Sequence, residues 1–102
     1  MSGPRTRSTG PEVDQAVGQR VKKHRTERGW DFLQLHREIE AATKDDPWGP
    51  TVISPAVLKN CEEGMIVGHG RRQVRRITTG EVRGMALAFG ITTDDLIFGY
   101  SL

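Results

Sequence analysis

The chain is poor in the residues that would open most functional classes. It holds one cysteine, Cys61, in 102 residues. An internal disulfide is therefore excluded, and a reducing, cytoplasmic setting is the expectation. Only six residues are Phe, Trp or Tyr, and 35% are hydrophobic. That suffices for a small core, which a helical bundle buries with the least demand. No apolar run approaches the ~20 residues of a membrane span, and the opening MSGPRTRSTGP has no apolar stretch of the signal-peptide kind. His24, His36, His69 and Cys61 fit no zinc-site spacing. No nucleophile–base pair or paired acids stand out, and Gly68-His69-Gly70 is not a phosphate loop. The expectation is a chain without metal, cofactor, catalytic residues or membrane segment.

What is present is charge with a pattern. The formal net charge is only +2. Residues 1–28 carry seven Lys/Arg against three Asp/Glu, and residues 68–83 carry five Arg against one Glu, so each segment is +4. The remaining segments are net negative. Basic stretches flanking an acidic one suit a protein with one basic face, which polyanions prefer.

The length is that of one domain. Residues 1–10 read as a flexible basic arm with Arg5 and Arg7, followed by one domain over 11–102. Val13, Val17, Val21 and His24 form an apolar stripe at helical spacing, ended by Gly29. Asp31 then caps a second helix from about Phe32 to Ala42, with Trp30 placed to staple onto Leu35. TKDDPWGPTV is a loop, from which Trp48 is expected to fold back onto the core. ISPAVLKNCEEG begins with a capping serine and a first-turn proline, and ends on Gly64, which can take the left-handed conformation. The spacing predicts a helix of barely ten residues, with Ile53, Leu58 and Cys61 facing inward. Alone in water it would be marginal. MIVGHGRRQVRR has a turn at its centre with short extended segments possible on either side. Thr78 with Glu81, and Thr92 with Asp95, open two further helices, the first running through Val82, Met85, Ala86 and Phe89 to Gly90. The fold class expected is all-α with five helices.

Two helices followed by a short capped one suggest a helix-turn-helix. The likeness extends further. VGQRVKKHRTERGW, DFLQLHREI, ISPAVLKNCEEG and MALAFGITTDDLIFG, in that order over residues 17–99, resemble the lambda-repressor-like family of helix-turn-helix regulators. This chain differs in having thirteen residues between Ile39 and Ile53, where the family has a short turn. It also has a longer loop between Gly64 and Thr78, His36 in place of a small residue, and Phe32 in place of a polar one.

The resemblance implies a sequence-specific double-stranded DNA-binding regulator, such as a small phage or bacterial repressor. It would bind as a homodimer, with helix 54–63 in the major groove. Arg25 and Glu62 fall where the family places an ion pair between helices one and three. Ser54, Pro55, Ala56, Lys59 and Asn60 fall where it meets bases or adjacent phosphates. Asn60 suits adenine, Lys59 guanine or phosphate, and Ala56 a thymine methyl. Glu63 is expected to point away from phosphate. Arg71, Arg72, Arg75 and Arg76, the densest basic cluster, would hold the backbone from a possible β-hairpin wing. Leu87, Phe98, Tyr100 and Leu102 form a candidate dimer patch. The alternative is a protein-interaction module, an antitoxin or inhibitor on the same scaffold, in line with the enlarged turn and the sparse polar face of the short helix.

Overall fold

A computed structural model describes residues 11–66, 72–73 and 76–99. In chain order the elements are α1 (Pro11–Glu27), α2 (Phe32–Ala42), α3 (Pro55–Glu63), β1 (Met65–Ile66), β2 (Arg72–Gln73), α4 (Thr79–Phe89) and α5 (Thr93–Phe98). Among the described residues the architecture is five helices with one antiparallel ladder, in which Met65 pairs with Gln73 and Ile66 with Arg72.

Local chemistry sets most helix starts. Asp31, in extended backbone, accepts from the Gln34 amide at 2.7 Å. Ser54 accepts from the Val57 amide at 3.2 Å, with Pro55 in the first turn. Thr78 and Glu81 form a reciprocal capping box, and Thr92 accepts from Asp95. Each cap satisfies a donor that the helix cannot use itself. The helix ends differ among themselves. Gly90 closes α4 in the left-handed conformation. Gly64 does not close α3 that way: its φ is +82°, but its ψ of 177° is extended. The chain therefore passes from α3 straight into β1.

The core draws on every helix. Val17 and Val21 of α1 meet Leu35 and Ile39 of α2, Leu58 of α3, Val82, Met85, Ala86 and Phe89 of α4, and Leu96 of α5, with Ile53 joining from the segment before α3. Cys61 is buried as well. Where α1 crosses α3 the two backbones are nearly in contact. A Cβ on Gly18 would collide with the Cys61 carbonyl oxygen, so only glycine fits. Gly84 of α4 is similarly covered, by Thr51 and Ile39.

The long connection between α2 and α3 is held at two places. The Thr43 hydroxyl, fully buried, donates to the Ile39 carbonyl at 2.8 Å and accepts from the Thr51 amide at 2.8 Å. Asp46 forms an ion pair with Arg83 of α4 and accepts from the Trp48 amide. Trp48 does not enter the core. It is 75% exposed, and the Arg83 guanidinium lies 4.4 Å from the centre of its ring. Once Asp46 fixes Arg83, a cation–π contact at the surface satisfies the indole face without burying it.

Candidate nucleic-acid interface

The helical repeat divides α3 into two faces. Leu58 and Cys61 point into the core, and the Glu62 side chain is 1% exposed. Ala56 and Lys59 are exposed on the opposite face, with Asn60 and Pro55 half-buried beside them. The side chains of Lys59 and Asn60 form no hydrogen bond or ion pair with any described residue. The same helical register brings Glu63 onto this outer face, in the last turn, where it is exposed. It does not point away from the face, so negative charge sits at the C-terminal end of α3.

Behind α3 stands a built ion pair. Arg25 of α1 donates from Nε to Glu62 Oε2 at 2.7 Å and from Nη2 to Glu62 Oε1 at 3.0 Å, a two-pronged fork. Its Nη1 donates to the Trp30 carbonyl at 2.8 Å. The guanidinium also lies 4.3 Å from the centre of the Phe32 ring. The hydrogen bond with Glu62 raises the Arg25 pKa above its ordinary value. Phe32, at a position where a polar residue was the family expectation, thus serves as the second face of the arginine site.

His36 has an equally definite place. Its Nδ1 lies 2.8 Å from the Ile53 carbonyl oxygen, and its Nε2 lies 3.3 Å from Glu40. An imidazole is long enough to reach from α2 to the segment that enters α3, and a small residue is not. The enlarged turn and the larger side chain therefore belong together. In the sequence His36 stands out only as a departure from the resemblance, because its distance from Ile53 along the chain hides the contact.

The basic cluster is divided. Arg72 lies in β2. Arg71 and Arg75 fall outside the described residues, as do the arm at 1–10, His69, Tyr100 and Leu102. Arg76 is drawn inward at one end. Its Nε lies 2.7 Å from Oδ2 of Asp14, which is buried in α1. Asp14 Oδ1 also accepts from the Ile77 amide at 3.4 Å. Arg76 is still two-thirds exposed along its length, but its head group has a structural partner that spacing could not reveal. Of the apolar patch, Leu87 and Phe98 are exposed, at 42% and 53%.

Among the described residues no group of three or more His, Cys, Asp or Glu could hold a metal ion, and no helix is long and apolar enough to cross a membrane. The candidate interface is the outer face of α3, backed by Arg25 and Glu62, with a β-ladder directly after it. No family model matches the chain, and neither a curated protein nor a solved structure is significantly similar to it.

Proposed function

We propose that the protein is a lambda-repressor-like helix-turn-helix regulator that binds double-stranded DNA in a sequence-specific manner, in the way of a small phage or bacterial repressor. The observation that carries this reading is the asymmetry of α3. Its inner face is fastened by the Arg25–Glu62 fork, and its outer face offers Lys59 and Asn60 without internal partners. A nine-residue helix so held leaves its outer face for another surface. It is well suited to lie in a major groove, where Asn60 would pair with adenine, Lys59 with guanine or a phosphate, and Ala56 with a thymine methyl.

The β1–β2 ladder would act as a wing, with Arg71, Arg72 and Arg75 reaching phosphates. Leu87 and Phe98 offer apolar surface for a two-fold dimer, which would set half-sites about one helical turn, ~34 Å, apart. Binding would be tested by selection from a random duplex library, followed by titrations over a salt series. Asn60→Ala should cost about 1–3 kcal/mol on the selected site and far less on random DNA. Arg71→Ala with Arg75→Ala should weaken both alike and flatten the slope of log affinity against log salt by about one unit per lost phosphate contact. Unchanged DNA binding in all these variants, or no binding by the parent at moderate salt, would refute the reading.

A second reading has its own support. Trp48 and Val52 of the long turn, with Leu33 of α2, are large apolar groups left in solvent. Such groups favour a protein partner. That partner would be lost on Trp48→Ala with Val52→Ser and kept on Asn60→Ala, the reverse of the DNA pattern.

A further inference from the structure

The outward face of α2 carries one stripe. Leu33, Arg37 and Ala41 follow one another at four-residue spacing, all exposed, opposite the buried Leu35 and Ile39. The stripe borders an open groove of about 450 Å³, lined by Arg37, Glu40, Ala41, Lys44, Pro50 and Val52. Val52 is 65% exposed, and its neighbours hold it there. The Thr51 amide before it donates to the buried Thr43 hydroxyl at 2.8 Å, and Ile53 after it belongs to the core. Turning the backbone to bury Val52 would pull one of these anchors loose. The charges of the groove are uneven as well. Glu40 has His36 Nε2 at 3.3 Å, whereas the side chains of Arg37 and Lys44 make no hydrogen bond or ion pair with any described residue.

From this pairing of fixed apolar surface with unanswered positive charge, we infer that the groove is a docking site for an acidic, amphipathic peptide segment of another protein. Val52, Pro50 and Ala41 take the partner's apolar side chains, the way grooves receive amphipathic segments. Arg37 and Lys44 take its carboxylates, and a guanidinium can hold one with two parallel bonds. Complementary charge of this kind fixes the register and suppresses wrong partners. A nucleic acid suits the groove less well. Glu40 lies among the lining residues and repels phosphate, and a phosphate backbone has no use for a valine held in solvent. Val52 is two residues from the Ser54 cap of α3, so a bound segment sits against the approach to that helix. The inference rests on the second reading above, in which the long turn meets a protein, and it gives that protein a chemistry. It depends neither on the outer face of α3 nor on DNA.

The test uses the full chain as bait for a phage-displayed library of random dodecapeptides, with the selected peptides resynthesised and titrated by fluorescence anisotropy. They should combine Asp and Glu with Leu, Ile or Phe, and their affinity should fall as salt rises. Arg37→Glu with Lys44→Glu should weaken them about tenfold, the combined worth of two exposed ion pairs. Its thermal midpoint should stay near that of the parent, because both side chains are in solvent. The matched reversal Lys22→Glu with Lys23→Glu, equally exposed on α1, should bind like the parent. Overturning results are absence of any enriched peptide, equal binding by Arg37→Glu with Lys44→Glu and the parent, or equal weakening by the reversal on α1. Selected peptides without an excess of acid, lost on Trp48→Ala with Val52→Ser, would overturn the acidic chemistry and keep the second reading. Loss of duplex DNA affinity in Arg37→Glu with Lys44→Glu, with peptide binding unchanged, would assign the two cations to phosphate instead.

Discussion

Replacing Arg25 by Ala should damage the fold more than replacing its partner, and replacing both should repair part of the damage. The asymmetry comes from burial. The Glu62 side chain is 1% exposed, whereas that of Arg25 is 14% exposed. Without Arg25, the carboxylate loses two charge-assisted bonds and cannot turn to water, and the Trp30 carbonyl loses its donor. Leaving a buried charge unpaired costs about 3–5 kcal/mol, a large part of the ~5–15 kcal/mol that keeps a domain folded. Without Glu62, Arg25 keeps the Trp30 carbonyl and the Phe32 ring and can lean outward, so the loss should be about 1.5–3 kcal/mol, the range for a hydrogen bond to a charged group. In the double variant no charge is stranded, and its stability should lie close to that of Glu62→Ala alone.

Urea unfolding of the four proteins, followed by circular dichroism, gives the cycle. Arg25→Ala should also melt lower by about 4 °C or more for each kcal/mol lost. Two additive losses near 1 kcal/mol each would refute the reasoning, because they would mean that the pair behaves as an exposed one. Arg25→Lys serves as a further check. It keeps the charge but cannot present the fork, and it should fall between the parent and Arg25→Ala.

Three other outcomes follow from the packing and the titrating groups. Gly18→Ala should destabilise by at least the ~1–3 kcal/mol of an overpacked core, since the new methyl must push α3 away from α1; a thermal midpoint equal to the parent's would contradict the close crossing. His24, stacked on Phe89, has its pKa lowered from 6.5, first by burial and then by Arg28. The folded state thus resists protonation, so its contribution is present above pH 6.5 and is lost as pH falls through the lowered folded value; His24→Gln should flatten that limb of a stability–pH curve. Asp46 has its pKa lowered from 3.8 by Arg83, so its contribution is present above pH 3.8 and is lost only as pH falls through the lowered folded value; Asp46→Asn should remove that acid limb while leaving the His24 limb in place.

Much of the helical layout was readable in the sequence because the signals are local. Asp31, Ser54, Thr78 and Thr92 each cap through an amide three residues on, and that spacing is visible in the chain itself. The inward positions Ile53, Leu58 and Cys61 follow from the same periodicity. Contacts made across the fold left no such mark. Nothing in the sequence near Trp48 says that Arg83, thirty-five positions on, will be pinned by Asp46 and take the indole face. Nothing near Arg76 points to Asp14, and the collision that keeps Gly18 small depends on an angle between two helices. Glu63 shows a different limit. Its charge suggested a side facing away from phosphate, but the helical register fixes its direction irrespective of what the charge would prefer.

Arg20 of α1 donates from Nη1 to the Leu96 carbonyl at 3.1 Å and to the Ile97 carbonyl at 2.5 Å, and its guanidinium lies where a Cβ on Gly99 would need to be. The first helix is thus completed by the last one, across more than seventy residues. On a ribosome, Val17 and Val21 emerge early, yet Leu96, which belongs to the same core, is made near the end of the stretch that forms the fold. A nascent chain stopped before residue 93 would lack the part of the core that α5 covers, leaving apolar surface of the kind that chaperones and proteases find. This arrangement makes truncation a sharp event: a shortened product should be cleared by the cell rather than linger as a weaker copy of the protein.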